Sequence, residues 1–353
     1  MDIDTAKLDQ FMERFVQDLG AVMHAATIVV GDRLGLYKAL ARDGASTPTE
    51  LATRTETDPR YVREWLCAQA ASGYVDYDTA QERFYLNPEQ AFALTVEGGP
   101  AFIPGAFDIA VAQFKAIPKM MSAFRTGLGL GWHEHDDALF HGTERFFRPG
   151  YAANLVSSWI PSLDGLESRL RAGALVADVG CGHGASTLIM AEAYPASRFI
   201  GFDYHEPSVR RAREAARRAG LQGRVSFEAA CAKAYPGRDY DLVAMFDCLH
   251  DMGDPVGAAA HVRASLKGDG CWMIVEPYAN DALEANLNPV GRVFYSASTF
   301  ICTPASRAQE VGLCLGAQAG EAKVREVVVA GGGFTRFRRA TQTPFNLVFE
   351  ARP

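Results

Sequence analysis

The sequence has 353 residues, of which 48% are hydrophobic and 22% charged, values typical of a soluble globular protein with two domains. Its net charge of −7 argues against nucleic acid as the main partner, because phosphate binding needs a concentrated basic surface. No apolar run reaches the ~18 residues of a membrane-spanning helix, and the N-terminus does not resemble a signal peptide. Seven cysteines without CxxC pairs are typical of reduced thiols, so we expect a cytoplasmic protein with no membrane partner.

The first 95 residues have the pattern of a winged helix. Apolar side chains recur at helical spacing over residues 6–19, and a second apolar helix is predicted over residues 21–41. Residues 47–50, Thr-Pro-Thr-Glu, have the spacing of a helix-capping box. Another helix is predicted over residues 58–73, and two short β-runs within residues 74–86 predict a hairpin.

A winged helix can bind DNA or serve as a dimerisation module. The candidate recognition helix, DPRYVREWLCAQAASG, carries only two arginines and one glutamate, which is a weak charge pattern for phosphate contacts. We therefore predict that residues 1–95 form a dimerisation domain and that the protein is a homodimer.

Residues 96–165 are predicted to form a helical connecting and lid region. The stretch 96–130 is rich in Gly, Pro, Phe and Met, a composition that predicts short helices broken by turns, either as a lid over an apolar substrate or as a packing element. The sequence WHEHDD and a later histidine, within residues 132–141, allow three interpretations: a metal site, a lining of the substrate pocket, or a solvated loop. We predict no metal.

Strands and helices alternate over residues 166–353, and the chain closes with two strand-like runs around a short turn. This alternation predicts an α/β fold with helices on both faces of the sheet. We expect a Rossmann-like, mostly parallel, seven-stranded sheet with a terminal antiparallel hairpin.

The chemistry is indicated by VADVGCGHGAS, residues 176–186. An apolar strand ends at Asp178 and is followed by Gly180, Gly182 and Gly184 before a helix begins. Glycines allow a sharp turn and a close approach of ligand to backbone, and the helix N-terminus favours acceptor groups. Asp203 follows the next strand, where a carboxylate can accept hydrogen bonds from both hydroxyls of a ribose. The pattern predicts a nucleoside-containing ligand.

Two cofactors fit this pattern. Gly180, Gly182 and Ala185 satisfy the relaxed dinucleotide fingerprint, so a nicotinamide-dependent oxidoreductase is one alternative. S-adenosylmethionine is favoured by Asp178, two residues before the first glycine, by Gly184, two residues after the second, and by the terminal hairpin.

The segments DVGCGHG, GFDYH, AACAKAYP and FDCLHDMGDP, together with the final hairpin, resemble those of class I S-adenosylmethionine-dependent methyltransferases over about residues 145–353. The winged helix extends the resemblance to small-molecule O-methyltransferases, and the whole chain is similar to actinobacterial members of unassigned substrate. The resemblance implies S-adenosylmethionine as cofactor and a small-molecule acceptor that bears a hydroxyl group.

Carried onto this sequence, the resemblance implies a set of cofactor-binding residues around the methionine, ribose and adenine parts. The residues implied along the methionine part are Asp178, Gly180, Cys181 and Gly182, and those implied beside the methyl group are Phe246 and Asp247. Asp203 is implied to hold the ribose and Tyr204 to lie against the adenine. Ala230 and Cys231 are implied to flank the adenine amine.

FDCLHDMGDP also resembles the His-Asp-Trp motif of plant O-methyltransferases, in which the histidine is the general base. It implies that role for His250, although Met252 stands where that family has tryptophan. Glu276 and Glu321 are candidates for the acidic residues that accompany the base. The alternative is a structural histidine at the start of a helix.

Two further points stay open at this level. Aromatic residues and a cysteine within residues 288–304 are candidates for the wall of the acceptor pocket or for the core: Phe294, Tyr295, Phe300 and Cys302. A cofactor-sensing winged-helix DNA regulator remains the alternative that is not an enzyme.

Overall fold

The computed structural model describes residues 3–353 and divides them into two units. One unit comprises the described residues up to Val111 together with His141–Pro149, and the other comprises Ala112–Phe140 and Gly150–Pro353. The boundaries predicted at residues 95 and 165 stay a prediction.

The first unit contains the elements expected of a winged helix. They are α1 (Thr5–Arg33), α2 (Leu36–Asp43), α3 (Pro48–Thr55), α4 (Pro59–Ala71), β1 (Asp76–Asp78), β2 (Arg83–Tyr85) and α5 (Pro88–Thr95). The predicted capping box is present, because Thr47 and Glu50 each accept the other's backbone N–H. Tyr37, Leu51 and Leu66 lie in the buried core of this unit. On α4, the predicted recognition helix, the Arg60 side chain is paired with Glu64 at 2.6 Å.

The helix boundaries differ from the prediction in two places. The break predicted between residues 19 and 21 is wrong: α1 runs unbroken through Gly20, and the break between α1 and α2 lies at Gly35, whose φ of 69° is in the left-handed region. A single interior glycine costs a helix only about 1 kcal/mol, which a helix of 29 residues tolerates. Residues 96–130 likewise contain one long helix, α6 (Pro104–Thr126), which continues through Pro118.

The second unit is built on the predicted seven-stranded sheet. Its strands are β3 (Leu175–Val179), β4 (Arg198–Asp203), β5 (Val225–Ala229), β6 (Tyr240–Phe246), β7 (Leu266–Pro277), β8 (Arg336–Gln342) and β9 (Asn346–Arg352). The order is β5-β4-β3-β6-β7-β9-β8. β3 to β7 pair in parallel, and β9 lies antiparallel between β7 and β8. This topology confirms the predicted fold class.

The remaining helices are α7 (Asp137–Asn154), α8 (Leu166–Ala172), α9 (Ala185–Ala193), α10 (Glu206–Arg218), α11 (Pro255–Ser265), α12 (Pro289–Phe300), α13 (Cys302–Arg307) and α14 (Gly320–Arg325). Of these, α9, α10 and α11 pack on strands of the sheet. Every residue of β6 is buried, as expected for a parallel strand covered on both faces. The chain crosses from one side of β3 to the other between β5 and β6, so ligands are expected at the carboxyl ends of β3 and β6.

Within the residues that the structure describes, no single helix is long and apolar enough to cross a membrane. The bent pair α1 and α2 passes the same test by length and composition only.

Candidate active site

The loop after β3 is shaped by its glycines. Gly180, Gly182 and Gly184 have φ values of 79°, 52° and 83°, a region that side chains rarely adopt. A Cβ at Gly180 would lie 2.6 Å from Cys248 Sγ, and one at Gly184 would lie 2.6 Å from the Phe227 ring. A Cβ at Gly182 would meet no atom within 4 Å. The loop is therefore packed at two of its glycines and open at the third.

Asp178, at the carboxyl end of β3, offers a free acceptor inside the protein. Its Oδ2 accepts hydrogen bonds from Ser186 Oγ and Thr187 Oγ1, each at 2.6 Å. Its Oδ1 is buried without a hydrogen-bond partner. Burial raises the pKa of this carboxyl to about 6, against the lowering effect of the two hydroxyls. An unpartnered buried oxygen is costly, and a donor group on a bound ligand would satisfy it.

Asp203 joins the ends of β3 and β4. Its Oδ2 accepts the Gly182 N–H at 2.9 Å, and its Oδ1 accepts the His205 N–H at 2.8 Å. A carboxylate can accept about four hydrogen bonds, so both oxygens keep capacity for ribose hydroxyls. Burial raises the pKa of this group. The neighbouring Tyr204 is about half exposed.

The remaining predicted cofactor residues lie on the same edge of the sheet. The Ala230 N–H donates to the backbone oxygen of Asp203 at 3.0 Å, and Cys231 beside it is exposed. Cys181 is buried. The predicted residues thus lie in the last residues of β3, β4 and β6 or in the loops that follow β3, β4, β5 and β6.

His250 lies on the short helical turn that follows β6 and is almost fully buried. Its Nδ1 is 2.6 Å from Glu276 Oε2, and its Nε2 is 3.1 Å from Asp251 Oδ1. Glu276 Oε1 accepts the Leu249 N–H at 3.1 Å, which fixes the carboxylate. Burial alone lowers the pKa of His250, but Glu276 and Asp251 outweigh it and raise that pKa well above its ordinary value.

Of the two glutamates considered with His250, the structure brings only Glu276 to it. Glu321 pairs instead with Arg325 at 2.9 Å and with Arg339 at 2.7 Å. Cys302, at the start of α13, is the third member of the His250 cluster: the ligand-type atoms of His250, Asp251 and Cys302 all lie within 4.8 Å of one another. It is the one such group among the described residues, and the prediction of no metal remains untested.

Two residues of this region were missed by sequence reasoning. Tyr151 Oη donates to Asp247 Oδ2 at 2.9 Å, and Asn346 Nδ2 donates to Asp247 Oδ1 at 2.9 Å. They come from α7 and from the start of β9. No sequence signal identifies either residue, because they are 96 and 99 positions away from their partner.

The segment with three open interpretations, residues 132–141, is not simply a solvated loop. His135 is buried, and neither of its ring nitrogens has a hydrogen-bond partner. Burial, with Lys119 nearby, lowers its pKa to about 4. The Phe140 ring stacks on His205 with centroids 4.6 Å apart. The segment therefore packs beside the end of β4.

The four residues within 288–304 that were candidates for the pocket wall or for the core differ in burial. Phe294 and Cys302 are buried, whereas Tyr295 and Phe300 are partly exposed. The rings of Phe294 and Phe345 are in edge contact at 6.5 Å. Only Cys302 among them approaches the His250 cluster.

A sheet of this order, a glycine loop after its first strand and an acid after its second define the fold of class I methyltransferases. Residues 170–319 match the family model described as "Methyltransferase domain", and residues 10–96 match "Rv2258c-like winged HTH domain". The chain is an S-adenosylmethionine-dependent methyltransferase with an N-terminal winged HTH domain, as the sequence predicts. The match does not support the nicotinamide-dependent alternative.

Solved structures share the fold over nearly the whole chain. A Nostoc punctiforme protein provisionally assigned as an O-methyltransferase has a TM-score of 0.75 at 17% identity, covering 97% of this chain and 98% of its own. Mitomycin 7-O-methyltransferase has a TM-score of 0.70 at 20% identity, covering 99% and 100%. Human N-acetylserotonin methyltransferase, solved with S-adenosylmethionine, has a TM-score of 0.69 at 16% identity, covering 97% of both chains. The comparison with curated proteins gives no significant match.

Proposed function

We propose that the enzyme transfers the methyl group of S-adenosylmethionine to a hydroxyl group of a small molecule, with His250 as general base. The observation that carries the proposal is the buried pair of His250 Nδ1 and Glu276 Oε2, 2.6 Å apart, at the sheet edge beside the glycine loop. The neighbouring solved structures named as O-methyltransferases support oxygen as the methylated atom.

The cofactor supplies an activated methyl group, so the protein contributes alignment, exclusion of water and proton removal. The residues present fit this cofactor. Asp178 Oδ1 is a buried acceptor without a partner, and Gly182 leaves its face of the loop open. Asp203 accepts two backbone N–H groups and can accept further hydrogen bonds from ribose hydroxyls. Together they hold the two ends of an extended nucleoside ligand.

We assign proton removal from the acceptor to Nε2 of His250. Glu276 fixes Nδ1, which directs Nε2 away from β7 and stabilises the imidazolium that forms when the acceptor loses its proton. Asp251 lies beside Nε2 at 3.1 Å, so a bound acceptor hydroxyl would replace or share this contact. The base is active only in its neutral form, hence above its raised pKa.

A screen of acceptors with labelled S-adenosylmethionine tests the proposal. Phenols, catechols and small hydroxy acids should include substrates that gain one labelled O-methyl group, identified by mass spectrometry. Transfer to nitrogen or carbon alone, across acceptors that also carry hydroxyls, would contradict the assignment of oxygen.

The pH profile gives a more specific prediction. Asp251→Asn should shift the acidic limb of the kcat profile, where activity rises with pH, towards lower pH by about one unit, because removing a nearby carboxylate lowers the pKa of His250. The active neutral imidazole then appears at lower pH. Asp281→Asn, an acid outside this cluster, is the control and should leave the limb in place. An unshifted limb in Asp251→Asn would mean that another group governs the profile.

We also propose a cytoplasmic homodimer. α1 exposes a row of large apolar side chains: Leu8, Phe11, Met12, Phe15, Val16, Leu19, Val22 and Met23. Single exposed apolar side chains are common on protein surfaces, but a continuous row of them marks an interaction site. A second copy of the same helix offers a matching apolar surface. The free cysteines are compatible with a reducing compartment.

Charges placed on this row should break the dimer. Phe11→Glu with Phe15→Glu is expected to give monomers in sedimentation at tens of micromolar, where the natural protein is dimeric, because two carboxylates would be buried at the interface. Leu287→Glu, at another exposed apolar residue, is the matched control and should stay dimeric. A natural protein that is monomeric at this concentration would contradict the proposal.

A further inference from the structure

Asp247 is fixed by hydrogen bonds at its backbone and at both of its carboxylate oxygens. It follows β6 with a φ of 50°, in the left-handed region, and its N–H donates to Val275 O at 2.8 Å. Tyr151 and Asn346 each donate to a different carboxylate oxygen at 2.9 Å. Tyr151 and Asn346 therefore fix this partly buried carboxyl group, and Val275 fixes its backbone. A strained backbone that several contacts hold in place is typical of functional positions.

The surroundings of Asp247 are short of positive charge. The titratable groups that influence it or its partner Tyr151 are Asp178 from β3, Cys248, His250 and Asp251 from the segment after β6, and Glu276 from β7. Among these described groups only His250 can be cationic. Burial, reinforced by Glu276, raises the pKa of Asp247 to about 8, so near pH 7 this carboxyl holds a proton in the free enzyme.

The position of Asp247 relates it to the glycine loop. The next residue, Cys248, lies with its Sγ 3.3 Å from Val179 O, and a Cβ on Gly180 would overlap that sulfur. The ring of Phe246, on the other side, packs on Tyr151 with centroids 5.3 Å apart. The segment that carries Asp247 is thus in direct contact with the loop where the methionine part of the cofactor is expected.

We propose that Asp247, positioned by Tyr151 and Asn346, is the counter-charge of the cofactor's sulfonium and lets the enzyme distinguish the charged methyl donor from its neutral product. This inference rests on the proposed function. A cation entering a partly buried, acid-rich site is stabilised by a carboxylate more than it is in water. After transfer the sulfur is an uncharged thioether, and the same carboxylate no longer has a partner.

The proton balance follows from this assignment. When S-adenosylmethionine binds near neutral pH, Asp247 releases its proton to solvent and becomes a carboxylate. When the demethylated product replaces it, Asp247 takes a proton back. No bond to carbon is made or broken by Asp247, and the proton of the acceptor hydroxyl is handled separately by His250. The cycle favours exchange of product for fresh methyl donor.

Calorimetry of the full chain tests the proposal without an acceptor. Affinities for S-adenosylmethionine and S-adenosylhomocysteine are measured near pH 7 in two buffers of different ionisation enthalpy, which also gives the protons released. Asp247→Asn keeps the shape of the side chain and removes its charge. It should weaken the affinity for S-adenosylmethionine by about tenfold and change the affinity for S-adenosylhomocysteine by less than about threefold. The natural enzyme should release about one proton more than the variant on binding the methyl donor.

The controls separate charge from structure. Asp269→Asn removes an exposed acid and should change neither ligand's affinity. Tyr151→Phe keeps the aromatic volume and removes the hydroxyl donor, and it should reduce the preference for the charged ligand without abolishing it. Should Asp247→Asn fold poorly, Tyr151→Phe and the proton count of the natural enzyme still decide the matter.

Three results would overturn the inference. If Asp247→Asn lost affinity equally for both ligands, the residue would be a structural support. If the preference for S-adenosylmethionine over S-adenosylhomocysteine were unchanged, Asp247 would not interact with the sulfonium. If both enzymes released the same number of protons, Asp247 would not change its protonation on binding. Failure of the natural enzyme to bind either ligand would instead contradict the cofactor itself.

Discussion

His250→Ala is expected to lower kcat by about 10²–10⁴ for a hydroxyl acceptor, with little change in the affinity for S-adenosylmethionine. The variant removes the nitrogen that would take the acceptor's proton, whereas the glycine loop, Asp178 and Asp203 stay intact. Steady-state kinetics and calorimetry on the same preparation measure both quantities. His261→Ala is the matched control, because His261 contacts Tyr235 O at 2.9 Å and lies outside the site.

Alkaline pH should partly rescue the His250→Ala variant with a phenolic acceptor. A phenol of pKa about 10 ionises in solution as the pH rises, so the missing base matters less. The rescue separates lost proton transfer from lost structure, since a misfolded variant gains nothing from phenolate. Near-natural kcat of the variant at neutral pH would show that His250 is structural and that alignment alone carries the reaction.

Asp203→Ala should weaken S-adenosylmethionine binding by about 10- to 100-fold, corresponding to the ~1.5–3 kcal/mol of hydrogen bonds to a charged group. The change removes the acceptor for the ribose and also leaves the N–H groups of Gly182 and His205 without their partner. Calorimetry gives the affinity directly. Asp203→Asn keeps one acceptor oxygen and should lose less. Unchanged affinity in Asp203→Ala would place the ribose elsewhere.

Much of the fold was predictable, because its signals are local. The glycines between β3 and α9 and the apolar strands that alternate with helices follow from backbone sterics and burial. The predicted order of elements and the final antiparallel hairpin are confirmed. The wrong helix boundaries have a local cause as well: Gly20 and Pro118 look like breaks in a sequence, but the structure carries α1 and α6 through them.

The contacts of the candidate site were less predictable, because they join residues far apart in the chain. His250 was proposed from its motif, but the choice of Glu276 over Glu321 depends on which strand end lies beside the turn after β6. Tyr151 and Asn346 reach Asp247 from α7 and β9, and only the sheet order brings them there. Periodicity and spacing report which face of an element is buried and do not report which side chains meet across elements.

The bond from the Gly182 N–H to Asp203 has a consequence for the kinetics of cofactor exchange. Because this hydrogen bond of 2.9 Å is made between two loops of the chain itself, folding fixes the conformation of the glycine loop without a contact from a ligand. Ordering a flexible loop costs roughly 1–2 kcal/mol of backbone entropy per residue, and here folding, rather than ligand capture, bears that cost. Encounter with the cofactor then resembles docking onto a rigid template, so differences in residence time, rather than in association rate, should distinguish one ligand from another.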